Sequence, residues 1–218
     1  MKICGDAFRL ELGDSSGWRF RARNRAWVLY RAPISLYGNT KLACEIVALE
    51  YGAAYDFPVW VNHCGVLAGA GQFWHARPRD FLLLDQRPSA ATSPEIHWLD
   101  GQGRQVRDLF HPRDLASLLN AQIRTSRTGG CRVYTAGGGP DRAMSLAQLS
   151  RWCDARFGAY LPESDATERP YDIPWMILDN SQARRDFGWT PAISLDQVLE
   201  GIAMHAEKQP DWLERSGL

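Results

Sequence analysis

Tyr37 and Lys41 are the residues whose types and spacing most directly suggest catalysis. They lie four positions apart in "SLYGNTKLACE", residues 35–45, so on a helix their side chains would share one face. A tyrosine acts as a base near neutral pH only when its pKa, ordinarily about 10, is lowered, and a neighbouring ammonium group can lower it. The pair alone is a weak signal, because the same spacing also occurs by chance on a solvated helix face.

The elements that must position this pair follow from the hydrophobic pattern. Apolar residues recur at helical spacing over 37–51, which predicts a helix whose apolar side faces the core. The β-prone run at 59–61 enters a glycine-rich turn at 65–71, and "CRVYTAGGG", residues 131–139, repeats this order. Short strands that alternate with helices indicate an α/β protein.

Serine caps predict where the later helices begin. A helix should open near 112–114, and the expected N-caps are Ser145, Ser181 and Ser194, the last in a capping box with Gln197. Gly188 is the expected C-terminal stop of the helix after Ser181. The helix after Ser145 should turn four side chains inward, namely Leu146, Leu149, Trp152 and Cys153.

Composition excludes several classes of protein. The 25 basic and 25 acidic residues balance, which argues against nucleic-acid or membrane-surface partners. No apolar run approaches the ~20 residues of a membrane span, and the N-terminus has no apolar signal-peptide core. The five cysteines are scattered and never form C-x-x-C, so we expect no metal site, no disulfide framework and a cytoplasmic location.

Five segments together resemble one known family. They are "PISLYGNTKLACE", "VNHCGVLAGAGQF", "GQGRQVRDLFHPRDLASLL", "VYTAGGGPDRAMSLAQL" and "DNSQARRDFGWTPAISLDQVLEGI". In this order they resemble the extended short-chain dehydrogenase/reductase family, within it the NAD-dependent nucleotide-sugar epimerases and dehydratases. The closest pattern is that of the CDP-paratose 2-epimerases. Five ordered segments are more specific than any single motif.

The resemblance implies a role for particular residues. Tyr37 matches the catalytic base and Lys41 its NAD-binding partner. Arg107 matches an arginine that contacts the substrate diphosphate, although an ion pair with a nearby aspartate is the alternative. Arg169 resembles a second phosphate-binding arginine and Asp172 the acid beside it, in a segment where a tyrosine replaces the usual glycine.

Two departures concern the sugar pocket. His63 stands at a position often held by arginine, and Val66 at one often held by a substrate-contacting asparagine. The implied reaction is epimerisation of a nucleotide-diphosphate sugar, in which hydride leaves a sugar carbon for NAD and returns to the other face of a ketosugar. A nucleotide-sugar dehydratase is one alternative, and a non-catalytic remnant that pairs with another chain through an exposed half-sheet is the other.

The sequence also departs from the family at its N-terminus. No glycine-rich dinucleotide turn occurs there, and "MKICGDAF" resembles the segment just after the family's catalytic Ser/Thr strand. We therefore expect an α/β fold with an incomplete Rossmann-like parallel sheet, whose N-terminal half is missing, and a small C-terminal substrate-binding α/β subdomain. Residues 1–65 would be the Rossmann remnant and 66–218 the mixed remainder, with strand returns to the sheet near 104–119 and 131–140. Such a truncated chain should be impaired or inactive, and homodimerisation is left open.

Two stretches, 17–32 and 74–98, lack helix or strand periodicity and combine Arg, Trp and Pro in an unusual way. Codons for residues 74–98 can be chosen so that reading one base later gives "GMPDQGIFSYWINAHLRRRPLKYIG", which resembles the family's substrate-proximal helix and strand. Codons for 17–32 allow a similar match. The hypothesis is a pair of compensated frameshifts or base-call errors, and ordinary loop divergence is the alternative.

The coding DNA tests this hypothesis directly. Sequencing across residues 74–98 should reveal the family-like helix in the +1 frame. Any other +1 product would mean that the stretch is simply divergent.

Overall fold

The computed structural model describes residues 2–4, 7–9, 36–71, 96–97, 103–125, 132–158, 164–165 and 173–211. It confirms a mixed α/β architecture with parallel strand pairs. The irregular stretch 17–32 and all of 74–98 except 96–97 lie outside the described residues, as do Arg169 and Asp172.

Ten strands and five α-helices lie in the described part of the chain. In chain order they are β1 (Lys2–Cys4), β2 (Ala7–Arg9), α1 (Leu36–Ala54), β3 (Val61–Cys64), β4 (Val66–Leu67), β5 (Ile96–His97), β6 (Val106–Phe110), α2 (Pro112–Ile123), β7 (Val133–Ala136), β8 (Ala143–Ser145), α3 (Leu146–Phe157), β9 (Ser164–Asp165), β10 (Trp175–Met176), α4 (Ser181–Phe187) and α5 (Leu195–Lys208).

Strand β6 is the centre of the four-stranded sheet. It pairs in parallel with β10 and β4 and antiparallel with β8. All five residues of β6 are buried, as expected for a strand covered on both faces. The remaining pairs are two-stranded: β1 with β2 antiparallel, and β3 with β7 and β5 with β9 parallel.

The chain passes from the two-stranded sheet to the four-stranded sheet between β3 and β4. Its four residues pair with β7, from Val61 opposite Val133 to Cys64 opposite Ala136. After Gly65 the chain continues as β4, which pairs with the C-terminal half of β6. The sequence-predicted order of strand and then glycine turn is confirmed for both β3 and β7.

Helices α3 and α5 pack together over the sheet because each buries one apolar face. Both begin with a capping box: that of Ser194 with Gln197 was predicted, whereas at Ser145 only the N-cap was predicted and the structure adds Gln148 as its partner. The core cluster that they share contains Ala68, Leu109, Met144, Leu146, Leu149, Cys153, Val198, Leu199 and Ile202, with Trp152 packed against it. The four inward side chains predicted for α3 are therefore confirmed.

Trp189 anchors the second core cluster. Its ring meets Phe110 edge-on, with centroids 5.9 Å apart, and its Nε1 donates to the Asp114 carbonyl at 3.1 Å. The Asp114 carboxylate accepts backbone N–H groups from Ala192 at 2.9 Å and Ile193 at 3.1 Å, one on each oxygen. The start of α2 is thereby fixed to the turn that precedes α5.

Two local predictions were wrong. Helix α1 exists, but its apolar side is not core-facing: Ile46 is 59% and Val47 64% exposed. Periodicity predicts a helix, whereas burial needs an element lying against it, and on this side even Leu42 and Leu49 are only half-buried. Helix α4 ends at Gly188 as predicted, but Ser181 is its first residue rather than its cap, because its N–H and hydroxyl both donate to Asp179.

Replacing Asp114 tests the turn before α5. In Asp114→Asn an amide NH2 must face one of the two N–H donors, so we expect a loss of about 1–3 kcal/mol in the free energy of unfolding. Urea denaturation would measure it. Asp141→Asn, the same change at an exposed position, is the matched control; equal effects of both substitutions would contradict the role of Asp114.

Candidate active site

Tyr37 and Lys41 lie on one face of the first two turns of α1. The Lys41 Nζ is 5.3 Å from the centroid of the Tyr37 ring, which is within cation–π range. The Tyr37 side chain is 72% exposed. The predicted pairing is therefore present, on a face that a large ligand can reach.

The same face continues to Glu45, one turn beyond Lys41. Its carboxylate Oε2 lies 2.7 Å from the His63 Nε2, so this contact joins α1 to β3. Sequence reasoning missed the pair. The available signal was the spacing of Tyr37, Lys41 and Glu45 at successive intervals of four, together with a histidine at a position often held by arginine.

Arg107 lies on the central strand β6, whereas the Tyr37–Lys41 pair lies on α1. The side chain is buried, and its Nη1 donates to the Val106 carbonyl at 2.8 Å. Contact with a substrate diphosphate stays a prediction. Arg169 and Asp172 lie outside the described residues, so their predicted roles also stay predictions.

Asp108, next to Arg107, is a buried carboxylate that fixes two loops. Its Oδ2 accepts backbone N–H groups from Gly139 at 3.0 Å and Leu178 at 3.3 Å. A Cβ at Gly137 would collide with this oxygen, so the glycine turn after β7 allows the close approach. Burial raises the pKa of Asp108, and Oδ1 has no hydrogen-bond partner among the described residues.

A cleft of about 610 Å³ lies beside the same glycine turn. Its lining includes Trp175, Asn180 and Arg184. Asn180 holds the turn in place, accepting from the Gly137 N–H and donating to the Gly137 carbonyl, each at 2.9 Å. Tyr37, Lys41 and Arg107 do not line this cleft, so it does not extend the site on α1.

The described residues offer little for other kinds of site. Within these ranges, no group of three or more His, Cys, Asp or Glu side chains is placed to hold a metal ion. None of the described helices combines the length and the apolar character needed to cross a membrane.

Comparison with known proteins identifies the family. The sequence model of GDP-mannose 4,6 dehydratase matches residues 29–202. The chain belongs to this family. Its membership confirms the resemblance to nucleotide-sugar epimerases and dehydratases that the five ordered segments suggested.

Individual relatives agree with this membership. The UDP-glucose 4-epimerase of Azospirillum brasilense is 28% identical over 196 residues, which are 84% of this chain and 55% of that protein. The chain thus spans about half the length of this curated relative.

Two of the solved structures that share this fold are each 22% identical in sequence to this chain. The dTDP-glucose 4,6-dehydratase of Bacillus anthracis, in complex with NAD, superimposes with a TM-score of 0.67 over 85% of this chain and 56% of that one. The UDP-glucuronic acid 4-epimerase of Bacillus cereus, in complex with UDP-glucuronic acid and NAD, gives 0.66 over 81% and 54%. They confirm the Rossmann-like α/β class.

The buried Asp108 predicts a pH-dependent stability. Its raised pKa means that the folded chain keeps this proton to a higher pH than the unfolded chain, whose carboxyl has the ordinary pKa of 3.8. The stability that this group contributes is present below that value and is lost as pH rises through the folded pKa.

Asp108→Asn has no such charge to bury. The free energy of unfolding of Asp108→Asn minus that of the natural chain should therefore increase as the pH rises through this window. Urea denaturation at several pH values would measure this difference. Asp211→Asn, at an exposed position, is the control. Parallel pH profiles for the natural chain and Asp108→Asn would contradict the assignment.

Proposed function

We propose that this chain carries the proton-transfer and substrate-binding part of an NAD-dependent nucleotide-sugar epimerase. The observation that carries the proposal is the Lys41 ammonium 5.3 Å from the Tyr37 ring on an exposed helix face. The family membership of residues 29–202 supports it. Epimerisation rather than dehydration, and the CDP-paratose type in particular, are proposals that rest on the sequence pattern.

The residues fit NAD at one end of the cofactor. Lys41 and Tyr37 offer an ammonium and a hydroxyl suited to the hydroxyls of a nicotinamide ribose. The sequence contains no G-x-G-x-x-G, the pattern that brings backbone N–H groups onto the pyrophosphate in dinucleotide sites. The fit of these 218 residues to the whole cofactor is therefore incomplete.

The chain's own residues would act on the proton and on the substrate. Tyr37, as phenolate, would take the proton of a sugar hydroxyl, and the positive charge of Lys41 would stabilise that phenolate. Arg107 and Arg169 would hold the diphosphate, a task suited to the forked donors of arginine. Asp172 would lie beside the second arginine.

An interaction module is the second candidate, and the outward apolar side of α1 favours it. Ile46 and Val47 on this helix are more than half exposed, which is costly in water unless another surface covers them. Concentration-dependent association in sedimentation experiments would support this candidate. A soluble monomer at every concentration would count against it.

NAD binding tests the main proposal. Losing two charge-assisted hydrogen bonds to the pyrophosphate, at about 1.5 kcal/mol each, weakens binding roughly 100-fold. We therefore expect the chain to bind NAD at least that much more weakly than the B. cereus UDP-glucuronic acid 4-epimerase, whose solved structure contains NAD, in the same equilibrium dialysis, and to show little turnover of nucleotide sugars.

The residual binding should depend on the pair on α1. Lys41→Met should reduce it further, whereas Lys208→Met, which changes a lysine at the end of α5, should leave it unchanged. Stoichiometric NAD in the purified chain would overturn the expectation of weak binding. Equal effects of the two lysine substitutions would remove Lys41 from the proposed site.

A further inference from the structure

Helices α2, α3 and α5 each begin at a residue whose side chain caps the helix, but the chemistry of the caps differs. Helix α3 begins after Ser145 and α5 after Ser194, whose hydroxyl oxygens accept backbone N–H groups at 3.1 and 3.2 Å. Helix α2 begins after His111, whose ring Nδ1 accepts the Arg113 N–H at 3.1 Å. A hydroxyl oxygen accepts at any ordinary pH, whereas an imidazole nitrogen accepts only while it carries no proton.

The contact with Arg113 fixes the form of the His111 ring. Because Nδ1 accepts a hydrogen bond, the proton of the neutral imidazole is on Nε2. This Nε2 lies beside the glycine-rich turn after β4: a Cβ at Gly69 would be 3.5 Å from it and 3.0 Å from the Pro112 Cδ. The ring is therefore held between the start of α2 and that turn.

Protonation of His111 is incompatible with this cap. A second proton goes to Nδ1, which then becomes a donor facing the N–H donor of Arg113. The positive end of the helix dipole also disfavours a cation here. Burial lowers the pKa of His111; the negative charge of Asp114 opposes this shift, and the positive charge of Arg113 adds to it. The turn on the Nε2 side, residues 65–71, has no charged side chain.

We propose that His111 is a pH-sensitive N-cap, which holds the first turn of α2 while its ring is neutral and releases that turn when the ring takes a second proton. The same turn carries Asp114, whose carboxylate accepts the N–H groups of Ala192 and Ile193. Protonation of one ring is thus linked to the junction between α2 and the segment before α5. His111 has no part in the proposed reaction, so this inference is independent of it.

The direction of the pH effect follows from the lowered pKa. In the unfolded chain His111 has the ordinary pKa of 6.5, and in the folded chain its pKa is lower. The stability that the cap contributes is therefore present above 6.5 and is lost as the pH falls through the folded pKa.

Two NMR measurements on the whole chain test the proposal. Long-range 1H–15N correlation spectra of 15N-histidine-labelled chain report the protonation of each ring nitrogen, and His111→Asn assigns the signals of His111. Native-state hydrogen exchange gives the protection factor of the Arg113 amide, which is corrected for the ordinary pH dependence of exchange. Both are recorded on both sides of the pKa at which His111 titrates.

Above this pKa, His111 should be the Nε2–H tautomer and the Arg113 amide should be protected. Below it, the protection factor should fall about fivefold, which corresponds to about 1 kcal/mol for a lost N-cap. Asparagine caps helices and does not titrate, so His111→Asn should keep the protection on both sides, whereas His111→Ala should have the lower value on both. The Gln148 amide, which donates to the Ser145 hydroxyl, is the internal control and should not change.

Three outcomes would overturn the proposal. The first is an Nδ1–H tautomer above the pKa, and the second is an Arg113 protection factor that stays constant while His111 titrates. The third is an equal fall at Arg113 in His111→Asn, or an equal fall at Gln148 in the natural chain, because acid would then loosen the helix without acting through the His111 ring.

Discussion

Two buried carboxylates, Asp108 on β6 and Asp114 in the first turn of α2, join distant segments of the described residues. Asp108 accepts N–H groups from the loops at Gly139 and Leu178, and Asp114 accepts two more from Ala192 and Ile193. Backbone donors in a core must find acceptors. Three segments, at Gly139, at Leu178 and at 192–193, therefore converge on one strand and the start of one helix.

The turn after β7 needs glycine because it packs directly against β6. Side chains at Gly137 or Gly138 would collide with Asp108 or with the Leu109 carbonyl. The turn can therefore lie directly on β6, and the side-chain amide of Asn180 fills both hydrogen bonds of Gly137. Trp189 completes the arrangement by packing on Phe110 and donating to the Asp114 carbonyl.

Helix α1 is attached in a different way. Gly52, its one buried residue, lies against Val59, and the contact between Glu45 and His63 ties its middle to β3. Among the described residues these contacts lie at the middle and the C-terminal end of α1, while Tyr37 in its first turn is 72% exposed. Lys41 lies one turn further along, so the chemistry proposed for the chain depends on a helix in which only Gly52 is buried.

The sequence by itself determined the local elements and the row of reactive side chains. Hydrophobic period, serine caps and glycine stops depend on nearby residues, which is why α3, α5 and the end of α4 were predicted from them. Only the tertiary structure decided which faces are covered. The sequence analysis therefore missed the exposure of Ile46 and Val47 on α1, the Glu45–His63 contact, and the two backbone N–H groups that Asp108 accepts. Each of these features depends on residues that are distant in sequence and close in space, and local sequence patterns do not show such contacts.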